Sequence, residues 1–351
     1  MISRAQIEIM LRPLLQAIAK VETDIISIQS ITAKKIFDNS FVGREAFLNE
    51  ARTQLQRVVA KQGVVAGREL VNSYTAIIDK DLGKQMTLYN QAYNAGIVNT
   101  APQITQTVRT LADLELNREL LFLKSTLDRV ASYGGNQLAG FVEAASQKAL
   151  SGIPIYVISR EAAADIAEEG IAITYGSGRQ VQDLTAYVRM QMQTAIGKNA
   201  ADLQMELYDS IDAEDKWYET SSHYGARPEH AEWQGRIFKD YDDFIFQTGF
   251  GEVDGLAGVN CRHTWYPFLP GISEQRFKPY EEQENQEQYE AQQEQRYIER
   301  NIRSWKRREA ADEGLGIEDS IASNKVKGWQ SRMHEHIEDT GLTRQYAREQ
   351  I

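Results

Sequence analysis

The side chains able to do chemistry crowd into one stretch, His223 to Gly271. It holds the chain's single Cys, three of its five His and two of its five Trp. His223, His230, Cys261 and His263 form a candidate metal set. Thiolate and neutral imidazole are zinc ligands, and four of them in a tetrahedral array make a structural site. Cys261 and His263 are two residues apart, so on an extended segment they face the same side. His223 and His230 are seven apart, which fits two points on a loop leading into a helix. Neither C-x2-C nor H-x3-H spacing is present. A second reading, with these side chains as hydrogen-bonding members of a folded loop, therefore stands ahead of the metal.

Catalytic readings use the same residues. Asn260, His230 and His263 with Glu229, Glu232 and Asp254 can be drawn as a metal-dependent hydrolase or nuclease, with a His base and a metal-bound water. Cys261 with a His can be drawn as a nucleophile pair. No H-E-x-x-H accompanies them, and Gly249-Phe-Gly251 lacks the Lys-Ser/Thr of a phosphate-binding loop. The expectation is that the chain is not an enzyme. In the structural reading, Pro228 opens a short helix that Gly235 closes. Arg236-Ile-Phe238 and His263-Thr-Trp265-Tyr266 alternate like two short strands, and the Gly-rich segment between them is a long loop. Trp233, Trp265, Tyr266 and Phe268 supply the apolar area of a small core.

The elements around this stretch divide the chain in three. Residues 1–150 read as helix. Leu14, Ile18, Val21, Ile25 and Ile28 follow a 4-3-4-3 spacing with Pro13 in the first turn, and this stripe packs on the rest of its own chain. Helical stripes continue over 44–98, with Gly63, Gly67 and Gly83 as candidate breaks. Asn99 to Pro102 is a loop, and helix resumes over 105–150 with a break at Gly134-Gly135. Residues 151–275 read as mixed. Gly152 to Ile158 is strand-like. A short helix runs from a Ser159 cap to a Gly170 stop, and Ile171 to Tyr175 is a strand turning at Gly176-Ser177-Gly178. One helix ends at Gly197 to Asn199, another spans Ala200 to Ile211, and Lys216 to Ser221 is a strand that delivers His223. Residues 276–351 form a helical tail, Glu/Gln-rich and then basic. The fold class expected is α+β and predominantly helical.

Composition limits the function. The net charge is -11 over 351 residues, which argues against a general DNA coat, since nonspecific binding to nucleic acid rests on Lys and Arg. A single Cys excludes an internal disulfide framework and suits a reducing compartment. No apolar run reaches the roughly 20 residues of a membrane span, and the N-terminus lacks a signal-peptide pattern. A soluble protein made in a cytoplasm is expected. Arg300, Arg303, Lys306, Arg307 and Arg308 form a basic knot around Trp305. It reads either as a solvated helix face paired with preceding Glu residues or, less simply, as a nucleic-acid contact.

The motif Ser-His223-x-Gly-Ala-Arg227-Pro228-x-His230-Ala-x-Trp233-Gln234-Gly235, followed by Gly-x-Asn260-Cys261-Arg262-His263-x-x-Tyr-Pro-Phe-x-Pro-Gly, resembles the phage minor capsid protein 2 family. These are minor head proteins of tailed bacteriophages, loosely similar to the Mu F-type head morphogenesis proteins. The likeness takes in Gly170 to Arg179, Tyr187 and the tail from Tyr289 to Lys306, and it covers the chain from about Ile158 onward. It implies a virion component near the portal, present in the host cytoplasm during assembly. Its partners would be the portal and major capsid proteins, with packaged DNA a further one. Its roles would be head assembly, DNA packaging or protection of the DNA end at ejection, and no catalytic activity is implied. Residues 1–150 would then contact the portal or shell.

Overall fold

The apolar stripe that begins at Leu14 forms one face of a long helix. In the computed structural model, which describes residues 2–169, 171–174, 180–181, 183–318 and 321–351, α2 (Arg12–Asp38) buries Leu14, Ile18, Val21 and Ile25 completely. A short helix missed in the sequence, α1 (Arg4–Met10), precedes it. Its signal was Ser3-x-x-Gln6, and the two side chains form a reciprocal capping box. α3 (Arg44–Asn94) and α4 (Gln106–Leu150) follow. Both run without interruption, so the breaks expected at Gly63, Gly67, Gly83 and Gly134-Gly135 are corrected. A helical Gly costs only about 1 kcal/mol relative to Ala, which the packed faces of such long helices offset. Gly135 also has a packing reason, because a Cβ there would lie 3.0 Å from Cγ of Arg52.

The strand expected over Gly152 to Ile158 is also helix. α5 (Ile155–Glu169) begins after Pro154 and contains Ser159 in its interior, not as a cap. Ile, Tyr and Val suggest a strand by type. The buried set Ile158, Ala162, Ala163, Ile166 and Ala167, however, has helical period. β1 (Ile173–Thr174) pairs antiparallel with β2 (Gln180–Val181). Gly170 and the expected turn with its neighbours Tyr175 to Arg179 lie outside the described residues. α6 (Leu184–Asp209) merges the two helices expected on either side of Gly197. That Gly admits the Arg4 side chain, and a Cβ on it would come within 2.6 Å of the guanidinium carbon.

Next comes a three-stranded antiparallel sheet with β3 (Trp217–Thr220) between β4 (Ile237–Phe238) and β5 (Trp265–Phe268). Thr220 is opposite Trp265, and Tyr218 is opposite both Pro267 and Phe238. Pro267 is tolerated because β5 is an edge strand. Between β3 and β4 lies α7 (Pro228–Ala231). Between β4 and β5 lies α8 (Tyr241–Thr248), where an uninterrupted loop was expected. The Asp240 side chain accepts from the Asp243 N–H to cap α8, and left-handed Gly249 ends it. α9 (Glu282–Leu315), α10 (Ile321–Thr340) and a 3-10 turn at Tyr346–Arg348 complete a predominantly helical α+β chain. Among the described residues, no helix is long and apolar enough to cross a membrane.

The chain forms two compact units. The first combines Met1–Arg12, Glu69–Leu121 and Arg189–Gln292, and the second combines Pro13–Arg68, Phe122–Val188 and Gln293–Ile351. The stretches 1–150, 151–275 and 276–351 are each shared between them. In the first unit an aromatic core joins the helices to the sheet. Tyr208 stacks on Tyr89 at 6.1 Å and meets Tyr218 and Trp265 at 5.5 and 5.8 Å, and Tyr218 stacks on Phe244 at 4.8 Å. The core of the second unit is aliphatic and runs through Ile26, Ile36, Leu48, Leu138, Val142, Ile166 and Leu315.

Candidate functional site

The site grows out of β3. Just past its end, the Ser221 N–H donates to the Thr264 carbonyl at 2.8 Å, and the Ser221 hydroxyl accepts from the Thr264 N–H at 3.0 Å. This reciprocal pair ties the start of the His223 segment to the end of the Cys261 segment. The Thr220 hydroxyl donates to the Trp233 carbonyl at 2.8 Å. Two motif arginines cross between the halves. Arg227 donates to the Val259 carbonyl at 2.9 Å, and Arg262 donates to the Gly225 carbonyl at 2.7 Å. Asn260 adopts left-handed φ +56, which Asn tolerates better than most residues, and its N–H donates to Thr194 Oγ1. Gly235 has φ +68, and a Cβ there would lie 2.5 Å from the Lys278 carbonyl carbon. Only Gly fits that position. These four motif residues thus shape backbone or join one half to the other.

Three of the four candidate ligands converge. His230 Nδ1 and His263 Nδ1 are 3.3 Å apart, and Cys261 Sγ lies 3.7 Å from the first and 3.8 Å from the second. Their exposures are 2% for His230, 1% for Cys261 and 4% for His263, so all three are buried. Trp233 walls the group, with its ring 4.7 Å from each of these two imidazoles. His223 stands apart. Its ring meets His263 edge-on at 4.8 Å, but its Nε2 is 3.1 Å from the Ser221 hydroxyl, and it is not a member of the converging set.

Hydrogen bonds fix the tautomers. His230 Nε2 is 2.6 Å from the Asp254 carbonyl, which only accepts, so Nε2 carries the proton. Gln234 Oε1 accepts the His223 backbone N–H at 2.8 Å, which fixes the orientation of its amide, and so His263 Nε2 donates to the same oxygen at 3.2 Å. Both Nδ1 atoms are therefore bare lone pairs facing one another. Burial holds His230 and His263 below the usual imidazole range, reinforced for His263 by the neighbouring His223 and His230, and lowers His223 to about 4. Burial also raises the Cys261 thiol, while Arg4 pulls it down.

Several residues that build the site carried no motif signal. Asn285 on α9 accepts the Gly225 and Ala226 N–H groups at 3.1 and 2.9 Å and donates back to the Ala226 carbonyl at 2.9 Å. Buried Glu219 on β3 accepts the Arg276 and Phe277 N–H groups at 2.6 and 2.9 Å. Such partners are distant in sequence and of common types, so only the fold reveals them.

Comparison with known proteins agrees with the motif. A family model described as phage minor capsid protein 2 matches residues 142–338, more than half of the chain. The chain belongs to the phage minor capsid protein 2 family. A "Structural protein" of Lactococcus phage mv4 is 41% identical over 110 residues, covering 30% of this chain and 89% of the relative. A "Structural protein" of Lactococcus phage LL-H is 35% identical over 142 residues, 37% of this chain, and the match spans only 38% of that relative's length. No solved structure matches.

In this minor capsid protein 2 family member the basic tail does not present one charged face. Arg303 and Arg307 are buried in the second unit. Arg303 pairs with Asp183 and donates to the Arg348 carbonyl. Arg307 bonds Glu22 and the Ala167 carbonyl. Arg308 pairs with Asp312 and donates to the Arg160 carbonyl, and Lys306 donates to Gln350. Arg300 is exposed, with its guanidinium 5.9 Å from the Tyr297 ring. The group thus fits neither a wholly solvated face nor a continuous phosphate-binding stripe.

Proposed function

We propose that the protein is a minor component of the phage head that works by contact with other head proteins, chiefly the portal protein and the major capsid protein, during head assembly, DNA packaging or protection of the DNA end at ejection. The observation that carries this reading is the enclosure of the His230, Cys261 and His263 group within a network that joins two backbone segments. Those side chains hold a fold together, and an enclosed group does not meet a DNA substrate. Family membership points the same way. The net charge of -11 favours protein over nucleic acid as the principal partner.

The helical N-terminal region, residues 1–150, is the proposed surface for portal or shell contact. Leu114 and Leu121 on α4 are 58% and 69% exposed and lie seven residues apart, two turns along one face. Exposed apolar side chains in register suit a protein partner. The test is a phage carrying Leu114→Asp with Leu121→Asp. Purified heads should lose the protein, while the isolated variant keeps its helical circular dichroism and melting temperature. Normal incorporation into heads would refute the assignment of this surface. The competing reading is a metal-dependent nuclease, which predicts that purified protein nicks plasmid DNA and that His230→Ala and His263→Ala abolish the nicking.

A further inference from the structure

The converging group has donor geometry that hydrogen bonding alone does not explain. We propose that His230 Nδ1, His263 Nδ1 and Cys261 Sγ bind one structural zinc ion, which fastens the α7 turn to the Asn260–His263 segment, with a small exogenous ligand such as water at the fourth vertex.

The distances match. Zinc bonds of about 2.0–2.1 Å to nitrogen and 2.3 Å to sulfur, set at tetrahedral angles, put two nitrogens about 3.3 Å apart and nitrogen and sulfur about 3.6 Å apart. The three separations here are 3.3, 3.7 and 3.8 Å. Proton bookkeeping points the same way. Each imidazole has committed its proton at Nε2, one to the Asp254 carbonyl and the other to Gln234 Oε1. Two lone pairs and a sulfur then face one enclosed point. A thiol proton serves only one of the two nitrogens, whereas a cation serves all three donors once the thiol has released its proton to solvent on binding. The outer partners fit as well, since a metal-bound His usually donates its other N–H to a carbonyl or carboxylate, which orients the ring. The chemistry selects the ion. Imidazole and thiolate suit zinc, whereas calcium and magnesium take oxygen ligands. Among the described residues this is the one group of three or more His, Cys, Asp or Glu side chains placed to hold a metal.

The sequence had supplied His223 as a fourth ligand, and the three-ligand assignment excludes it. Gln234 is a positioning residue that touches the proposed ion only through His263.

The experiment uses the full chain, purified without a histidine tag. Elemental analysis should give one zinc per chain. After chelation and dialysis, cobalt(II) should restore a thiolate-to-cobalt charge-transfer band and the intense visible bands of four-coordinate cobalt. Cys261→Ser should lose the charge-transfer band. His223→Ala should retain one zinc per chain, and Gln234→Ala should weaken zinc binding about 10- to 100-fold. Wild-type protein that is folded by circular dichroism yet holds no zinc and gives no cobalt spectrum overturns the proposal, whatever the variants do. Loss of the metal in His223→Ala overturns the three-ligand assignment. These readouts are independent of head incorporation, so the metal site and the proposed role in the head fail or stand separately.

Discussion

At the residue scale, one histidine and two arginines of the motif hold backbone carbonyls. His230 grips the Asp254 carbonyl, Arg227 the Val259 carbonyl and Arg262 the Gly225 carbonyl. A different side chain supplies a pH response. Glu119 on α4 is buried, and burial together with the neighbouring Glu115 raises its carboxyl from the ordinary 4.5 to about 7. The folded state therefore keeps a proton on Glu119 that the unfolded chain releases above about pH 4.5. The stability linked to that proton is complete below the unfolded pKa and is lost as pH rises through 7. Across pH 4.5–7 the melting temperature of the wild type should fall relative to that of Glu119→Gln. Equal slopes would show that Glu119 does not titrate in this window. The sequence signals at this scale were partial. Three of the four candidate ligands came together because Cys261 and His263 share a short extended segment and His230 sits on a turn facing it. His223 stands outside the converging group, with its Nε2 3.1 Å from the Ser221 hydroxyl, and no spacing rule contains that bond.

At the scale of elements, apolar period located most helices, and glycine placed their ends wrongly. The stripes in α2, α3 and α4 were legible because burial on one face repeats every 3.6 residues. Gly63, Gly83 and Gly134-Gly135 were read as breaks, yet α3 and α4 continue through them. The helix does not need these glycines for their backbone freedom, and they differ in what surrounds them. A Cβ at exposed Gly83 meets nothing within 4 Å, whereas one at Gly135 meets Arg52 at 3.0 Å. Gly83→Ala is therefore expected to stabilise the protein by about 0.5–1 kcal/mol through helix propensity. Gly135→Ala should gain less or lose, because Arg52 has to shift. Denaturant titration of the two variants measures both effects, and destabilisation by Gly83→Ala would contradict a continuous helix there. α8 was hidden between glycines, although Asp240 and Gly249 mark its two ends by standard capping chemistry. α5 was misread because its first residues have strand types and its helical period emerges only with the alanines that follow.

At the scale of the whole molecule, the predominantly helical α+β class was legible and the assembly of the units was not. Each unit is built from three separated segments, with exchanges after residues 12, 68, 121, 188 and 292. Four of these exchanges fall inside helices α2, α3, α6 and α9, and a fifth inside α4. Local pattern does not mark them, because a helix looks the same on both sides of such a point. A fragment of residues 1–150 holds pieces of both units and the whole of neither. Expressed alone, it should unfold without a cooperative transition, and a sharp melt would show that the N-terminal helices form a core of their own.

The same interleaving governs the order in which the protein can form on the ribosome. The first unit lacks its last segment until residue 292 has emerged, and the second draws on residues up to the final turn at Tyr346–Arg348 and beyond. Domains commonly fold from the N-terminus as they are made, at about 5–20 residues per second. This nascent chain has no early domain to complete. Its long amphipathic helices spend most of translation without their eventual partners, which leaves them open to capture by chaperones or by other newly made head proteins.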